Sequence, residues 1–230
     1  MLGQSMIKGG ISQQPATGVA QVPPPVGTHA LVSQIKMIGA VMPFARNAEI
    51  YGENERAEYL YKVLSGSVRA YKVLNDGRRQ IGAFYLPGDV FGFEVGDEHS
   101  YSAEAIVDCK LLVVGRTSVM SLAARDSSVA RQLWTMTAVE LQRAQDHMML
   151  LIKTAQERVA GFLLEMSKRS PTCNEINLPM SRQDIADYLG LTLETVSRTL
   201  TQLKNAAAIA VPSSRHIVLC NRSALCRLNS

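Results

Sequence analysis

The sequence predicts an α+β chain in which a domain of short strands precedes one long helix and a C-terminal winged helix-turn-helix. Three observations carry this. Gly66, Gly77 and Gly88 recur every eleven residues between short apolar runs, the spacing of successive strands in an all-β barrel or sandwich. Over residues 129–153 the apolar pattern switches to a period near 3.5, which is helical. Ser181 to Lys204 then carries two cap signals on either side of Gly190, the pattern of two helices joined by a sharp turn.

The elements follow in order. Residues 1–29 are rich in Gly, Gln, Ser and Pro with one charged residue, Lys8, and read as a flexible tail. Asn75-Asp76-Gly77 between Ser67–Val73 and Arg78–Leu86 predicts a tight hairpin with positive φ at both central positions. Pro87-Gly88-Asp89 introduces a strand at Val90–Phe93, and two more strands are expected at Tyr101–Ile106 and Lys110–Gly115. The long helix then places Leu133, Thr137, Leu141, Ala144, Met148 and Leu151 on one seam, with small residues that suit close helix–helix packing. The seam fits either a two-stranded dimer or packing on the chain's own domain. Thr154-Ala155-Gln156-Glu157 is a capping box inside helical sequence, so one helix ends and another begins near Lys153-Thr154. The second helix stops at Ser170-Pro171, because the residue before proline disfavours α.

The chemistry sits in Ser181–Lys204. Ser181 and Asp184 open a first helix, Gly190 makes the corner, and Thr192 caps a second helix with Leu193, Val196, Leu200 and Leu203 as its buried face. Small Ala186 lets the two helices approach and Val196 packs between them. Glu194, Ser197, Arg198 and Thr201 form one polar stripe from the first turn. Arg can donate two hydrogen bonds to guanine and Glu can accept one from cytosine, and a reading helix presents its N-terminal turns to the major groove. The alternative is a solvated face held by internal Glu–Arg pairs. Ile209–Val211 and His216–Leu219 predict a wing whose Ser213, Ser214 and Arg215 reach phosphates, or else an inert hairpin that completes the core.

Composition bounds the partners. The chain has 230 residues, 47% hydrophobic and 19% charged, with a net charge of +4. Residues 28–117 hold ten basic and eleven acidic side chains, whereas 118–170 hold seven against five and 171–230 six against four. The basic excess lies in the C-terminal half and permits a polyanionic partner. No apolar run reaches the 18 or so residues of a membrane span. No basic-then-apolar leader pattern opens the chain, so secretion is not expected. Cys109, Cys173, Cys220 and Cys226 form no CxxC pair, which suits reduced thiols in the cytoplasm.

With these motifs in place, Arg182–Leu203, RQDIADYLGLTLETVSRTLTQL, resembles the FixK branch of the CRP/FNR superfamily of bacterial transcription regulators, and residues 30–230 resemble the superfamily as a whole. The resemblance implies a cyclic-nucleotide-binding-like β-barrel (jelly roll) over 30–128, a dimerisation helix over 129–153 and a winged helix-turn-helix over 154–230. It implies a homodimeric activator that binds a palindrome of double-stranded DNA, with TTGAT half-sites read by Glu194, Ser197 and Arg198, and that contacts RNA polymerase. Control of microaerobic respiration and nitrogen-fixation genes is implied in the same way. The candidate DNA contacts are Ser181, Arg182, Thr192, Leu193, Glu194, Thr195, Ser197, Arg198, Thr201, Ser213, Ser214 and Arg215.

Departures from the family pattern narrow the control mechanism. No cysteine precedes Cys109, and a lone thiolate cannot hold a cluster that needs four ligands. Tyr101 stands where a cyclic-nucleotide cassette has its phosphate-clamping arginine, and Glu94 lies near but not at the glutamate position, which argues against cAMP. No cofactor and no metal are expected. Some FixK relatives carry a cysteine where Ser181 stands. Cys173 remains a candidate redox thiol, with Lys168 and Arg169 near it in sequence. The rival within the superfamily is a small-molecule- or haem-gated regulator, with His99 as the only histidine of the β-domain, expected on a solvated loop. A cupin-like metalloenzyme is rejected because His29, His99, His147 and His216 are scattered, and no catalytic triad, P-loop or Rossmann pattern appears.

Overall fold

The structure, a computed structural model, describes residues 39–229; the tail expected over 1–29, and His29, lie outside the described residues. Six strands form one antiparallel sheet: β1 (Ala40–Phe44), β2 (Glu49–Tyr51), β3 (Tyr59–Val73), β4 (Arg79–Tyr85), β5 (Val90–Phe91) and β6 (Ser102–Gly115). Their order is β1-β6-β3-β4, with β2 also on β6 and β5 on β3.

Two long strands replace several short ones. Gly66 does not separate strands but lies inside the 15-residue β3, at φ +83°. A Cβ there would lie 2.5 Å from the Asp108 carbonyl oxygen, so only glycine fits both the backbone conformation and the close approach. The register of β3 against β6 slips between Val63 and Val68, and such bulges bend long strands. The expected strands Tyr101–Ile106 and Lys110–Gly115 are one continuous β6, and Val90–Phe93 shortens to Val90–Phe91. The hairpin also differs from expectation. Only Gly77 has positive φ, Gly77 N donates to Leu74 O at 2.8 Å and Leu74 N to Arg78 O at 2.8 Å. This is an ordinary turn followed by a left-handed glycine, the three-residue hairpin solution.

The helical half begins with α1 (Arg116–Arg125), which the sequence reading missed; Gly115 gives it no side-chain cap and Val119 is its only buried residue. Next come α2 (Ser127–Leu151), capped by Asp126, and α3 (Ala155–Arg169), opened by the Thr154–Glu157 capping box. Thr154 N donates to Glu157 Oε2 at 2.7 Å, and Glu157 N donates back to Thr154 Oγ1 at 3.4 Å. The C-terminal unit adds β7 (Glu175–Asn177), α4 (Arg182–Leu189), α5 (Leu193–Asn205), β8 (Ile209–Ala210), β9 (His216–Leu219) and α6 (Arg222–Leu228). Its sheet has the order β7-β9-β8, so the expected two-stranded hairpin carries a third strand.

Ile81, Phe84 and Ile106 of the large sheet share one buried cluster with Val159, Phe162, Tyr188 and Leu189 of the helical unit. The two units therefore pack through a common apolar core. A second cluster, Tyr51, Tyr61, Val68, Phe91 and Leu111, fills the sheet's other interior. Among the described residues no helix is long and apolar enough to cross a membrane.

Candidate nucleic-acid interface

Short-range hydrogen bonds set the helix-turn-helix. Ser181 Oγ accepts from Asp184 N at 3.1 Å and donates to Asp184 Oδ2 at 2.7 Å, while Ser181 N donates to the same oxygen at 2.9 Å. Gly190 takes φ +61° at the end of α4, a left-handed turn that costs a side chain energy. Thr192 Oγ1 accepts from Thr195 N at 3.2 Å and starts α5. Ala186 and Val196 are both fully buried where the helices cross.

The outer face of α5 exposes Thr192, Glu194, Arg198 and Thr201, with Thr195 and Ser197 half-buried beside them. Val196, Leu200 and Leu203 form the buried face as expected. Leu193 does not: it is 39% exposed, because the first residue of the helix projects beyond the crossing with α4. It lies instead at the solvent edge beside Glu194. Arg182 reaches across from α4, its Nη1 donating to Ser197 Oγ at 3.4 Å, and Thr201 Oγ1 donates to the Ser197 carbonyl at 2.9 Å. Glu194 and Arg198 are four residues apart, yet among the described residues neither side chain joins an ion pair or hydrogen bond. In the wing, Ser213, Ser214 and Arg215 are exposed, and Ser213 Oγ accepts from His216 N at 3.2 Å.

On α2 the middle of the expected seam, Thr137, Leu141, Ala144 and Met148, is exposed, while Leu151 is half-buried. Leu133 packs on the chain's own Leu60, Leu112, Val114 and Val119 cluster. Trp134 and Ile152, which the sequence reading passed over, are 78% and 74% exposed. Trp134, Ala138, Leu141, Gln145, Met148 and Ile152 continue one 4-3-4-3-4 stripe. Period alone could have found Trp134 and Ile152, but the residues between them shift the apparent seam by one position.

Aromatic rings line the interior of the β-domain. Phe91 stacks on Tyr61 and Tyr85 with ring centroids 5.2 and 4.7 Å apart, Tyr51 packs tilted against Tyr61 and Phe91 at 5.4 and 6.2 Å, and the Tyr85 hydroxyl lies close to Glu140 of α2. Burial pushes the Glu140 carboxyl up from its ordinary range. Glu94 is committed to its own loop, accepting from Ser100 N at 3.1 Å and Ser100 Oγ at 2.8 Å. Arg116 ties the same loop through the Gly96 and Glu94 carbonyls. Tyr101 lies on the surface with Lys72 Nζ 5.4 Å from its ring centroid. His99 corrects the expectation of a solvated loop residue: it is buried and stacked on Tyr51 at 3.5 Å, and burial lowers its pKa.

Cys173 is exposed, on a turn whose Cys173 carbonyl accepts from Ser167 Oγ at 2.7 Å and Arg222 Nη1 at 3.2 Å. Arg169 turns away from it, donating to Phe84 O at 2.8 Å and pairing with Asp89 and Glu165. Among the described residues no group of three or more His, Cys, Asp or Glu is placed to hold a metal ion.

Comparison with known proteins adds to this geometry. A Crp-like helix-turn-helix domain model matches residues 157–228 and a cyclic nucleotide-binding domain model matches residues 41–126. The chain is 52% identical to the nitrogen fixation regulation protein FixK of Azorhizobium caulinodans over 202 residues, which cover 85% of this chain and 82% of the relative. The corresponding FixK of Rhizobium meliloti is 41% identical, with coverage of 80% and 85%. The solved structure of FixK2 from Bradyrhizobium japonicum superposes with a TM-score of 0.81 at 54% identity, covering 84% of this chain and 98% of the other.

Proposed function

We propose that this chain, which belongs to the CRP/FNR family of transcription regulators, acts as a homodimer that reads a TTGAT-type palindrome and activates transcription without cAMP or an iron–sulfur cluster. The family assignment makes it a FixK-type regulator with a DNA-binding helix-turn-helix, not an enzyme, and supports a role in nitrogen-fixation regulation. The palindrome, the dimer, cAMP independence, contact with RNA polymerase, cytoplasmic action, the microaerobic role and the individual DNA contacts are our reading.

One observation carries it: Glu194 and Arg198 stand exposed and unpaired on the helix that the turn at Gly190 projects from the body. A solvated face held by an internal Glu–Arg pair would have joined them. Left free, the guanidinium can take guanine O6 and N7, and the carboxylate can take cytosine N4. Leu193, exposed beside them, can meet a thymine methyl, and Arg182, Thr192, Thr195, Ser197 and Thr201 surround the contact. The Ser181 hydroxyl is already engaged in its cap, so its contribution is to hold the start of α4. Ser213, Ser214 and Arg215 face phosphates. The exposed stripe of α2 supplies the dimer contact, and two-fold symmetry then matches an inverted repeat.

Features of the β-domain support independence from cAMP. Its interior is occupied by stacked aromatic rings, Glu94 is bonded to its own loop, and Tyr101 offers no guanidinium to a cyclic phosphate. A ligand shifts an equilibrium only by its differential affinity for the two states. The test is a titration of aerobically purified, metal-free protein against a labelled TTGAT palindrome, with and without cAMP. The reading expects the same affinity in both arms. A tenfold gain on adding cAMP, or no binding until a cluster is rebuilt, contradicts it.

A further inference from the structure

Between the β-sheet and the helix-turn-helix lies a largely buried ionic cluster joining residues more than 100 positions apart. Arg79 of β4 spreads its guanidinium over two carboxylates of α4, with Nε donating to Asp187 Oδ2 at 2.8 Å and Nη2 to Asp184 Oδ1 at 2.7 Å. Arg69 of β3 donates from Nη1 to the same Asp184 oxygen at 3.1 Å and from Nη2 to Glu104 Oε1 of β6 at 2.6 Å. Asp184 Oδ2 is the capping atom of α4, so one carboxylate both starts the helix and receives two guanidinium groups from the sheet. Asp187 Oδ1 accepts from Gln183 Nε2 at 2.7 Å, which orients its other oxygen toward Arg79. Gln80 Nε2 and His147 Nε2 both donate to the Tyr188 carbonyl, at 3.3 and 2.8 Å.

We propose that Arg69 and Arg79 are positioning residues for DNA reading: the clamp they form on Asp184 and Asp187 fixes the orientation of α4, and through it α5, relative to the β-sheet domain, to which α2 is tied by Leu133 and the Arg143–Asp89 pair. This rests on the dimeric palindrome reading above. The apolar contact between the two units tolerates small rotations, because apolar attraction has no preferred direction. A guanidinium fork on two carboxylates does not, since its donors lie in one plane at fixed angles. Buried ion pairs contribute little net stability but can select one arrangement among several. In a dimer each clamp holds one reading helix, and the half-site separation, about 34 Å for successive major grooves, depends on both.

The consequence is a spacing phenotype. If loosening the clamp leaves a tenth of each protomer's reading helices in the competent orientation, apparent affinity for the palindrome falls roughly tenfold per protomer. Other spacings become accessible to the released helices. Binding to a single half-site, which needs one helix-turn-helix and its wing but not their orientation within the dimer, is unaffected.

The experiment compares the full-length wild type with Arg79→Ala and Asp187→Asn on palindromes whose central spacer is varied one base pair at a time, and on DNA with a single half-site. Circular dichroism and light scattering accompany each protein, and Asp187→Asn keeps the side-chain size should Arg79→Ala fail to fold. The clamp predicts one sharp spacing optimum for wild type. It predicts a flattened profile with a loss of tenfold or more at that optimum for folded, dimeric variants, and unchanged half-site binding. Variants that keep the sharp optimum overturn the proposal, as do variants that weaken half-site and palindrome binding equally. A wild type with no spacing optimum overturns the palindrome reading itself, and the clamp with it.

Discussion

Replacing Met148 by Asp places a carboxylate in the middle of the exposed stripe on α2. In the isolated chain Trp134, Leu141, Met148 and Ile152 are 78%, 59%, 60% and 74% exposed. Fully burying such side chains is worth about 1.5–3 kcal/mol each, so covering the exposed parts yields roughly 1–2 kcal/mol per residue. Eight such side chains in a two-fold contact contribute about 8–16 kcal/mol. Association costs an estimated 4–15 kcal/mol in lost freedom and ordering, so the contact has no large margin. Met148→Asp removes about 1–2 kcal/mol per protomer and leaves a buried unpaired charge that costs several more. A total near 6 kcal/mol raises the dissociation constant about four orders of magnitude. Met148 is 60% exposed and is not a member of any buried cluster among the described residues, so the fold itself should survive. Multi-angle light scattering of wild type and variant at micromolar concentration is the assay, with circular dichroism as the control. A folded variant that remains dimeric would show that this stripe is not the dimer seam.

Three further outcomes follow from named contacts. Arg198→Ala should lose about 1–3 kcal/mol of discrimination per half-site, twice over in the dimer, leaving nonspecific binding intact; an unchanged ratio of palindrome to scrambled-DNA affinity removes Arg198 from the reading face. Gly190→Ala forces a Cβ into the left-handed region, where an L-residue costs about 1–2 kcal/mol, so its melting temperature should fall by several degrees; no fall would mean the turn is not strained. The third concerns pH. Burial lowers the pKa of His147 against the opposing pull of its backbone hydrogen bonds to Tyr188 and Gly82 and of nearby Glu165. The unfolded chain therefore takes up a proton near pH 6.5 that the folded state refuses, and stability should decline as pH falls through that value. Buried His99 shifts in the same direction. Thermal melts of wild type and His147→Gln from pH 8 to 5.5 should show a shallower decline in the variant; equal slopes would deny His147 its part.

What the sequence revealed about the fold depended on how far apart the interacting residues are. The two capping boxes, at Thr154–Glu157 and Ser181–Asp184, and the turn at Gly190 were legible because each is written in a few adjacent residues. The wing strand β9 was found with its bounds, since its apolar run is flanked by turn residues. The continuity of β6 was hidden: Asp108 interrupts the apolar run, and only pairing along the whole of β3 shows that the strand passes through it. The three-residue β7 offers a single buried side chain, Ile176, too little for any periodic signal. On the reading face, Glu194 and Arg198 stood out from helix spacing, whereas the exposure of Leu193 depends on where α4 crosses α5. The clamp was illegible for a plainer reason. Nothing near Arg79 in sequence hints at Asp187, and the match exists only once the sheet and the helix-turn-helix share a core. The burial of His99 leaves no trace in its own polar loop, because the surface that covers it, the face of Tyr51, lies 48 residues earlier.

An exposed Glu194–Arg198 face, presented twice by a symmetric dimer, is expected to read DNA without an effector. Selection from a random-sequence duplex pool by the purified, metal-free wild-type protein tests it most directly, since one enriched motif reports half-site, symmetry and spacing together. The expected result is enrichment of an inverted repeat of TTGAT half-sites at a single spacing, with no cAMP added. Enrichment of an unrepeated motif, or of no motif until an effector is supplied, would contradict it.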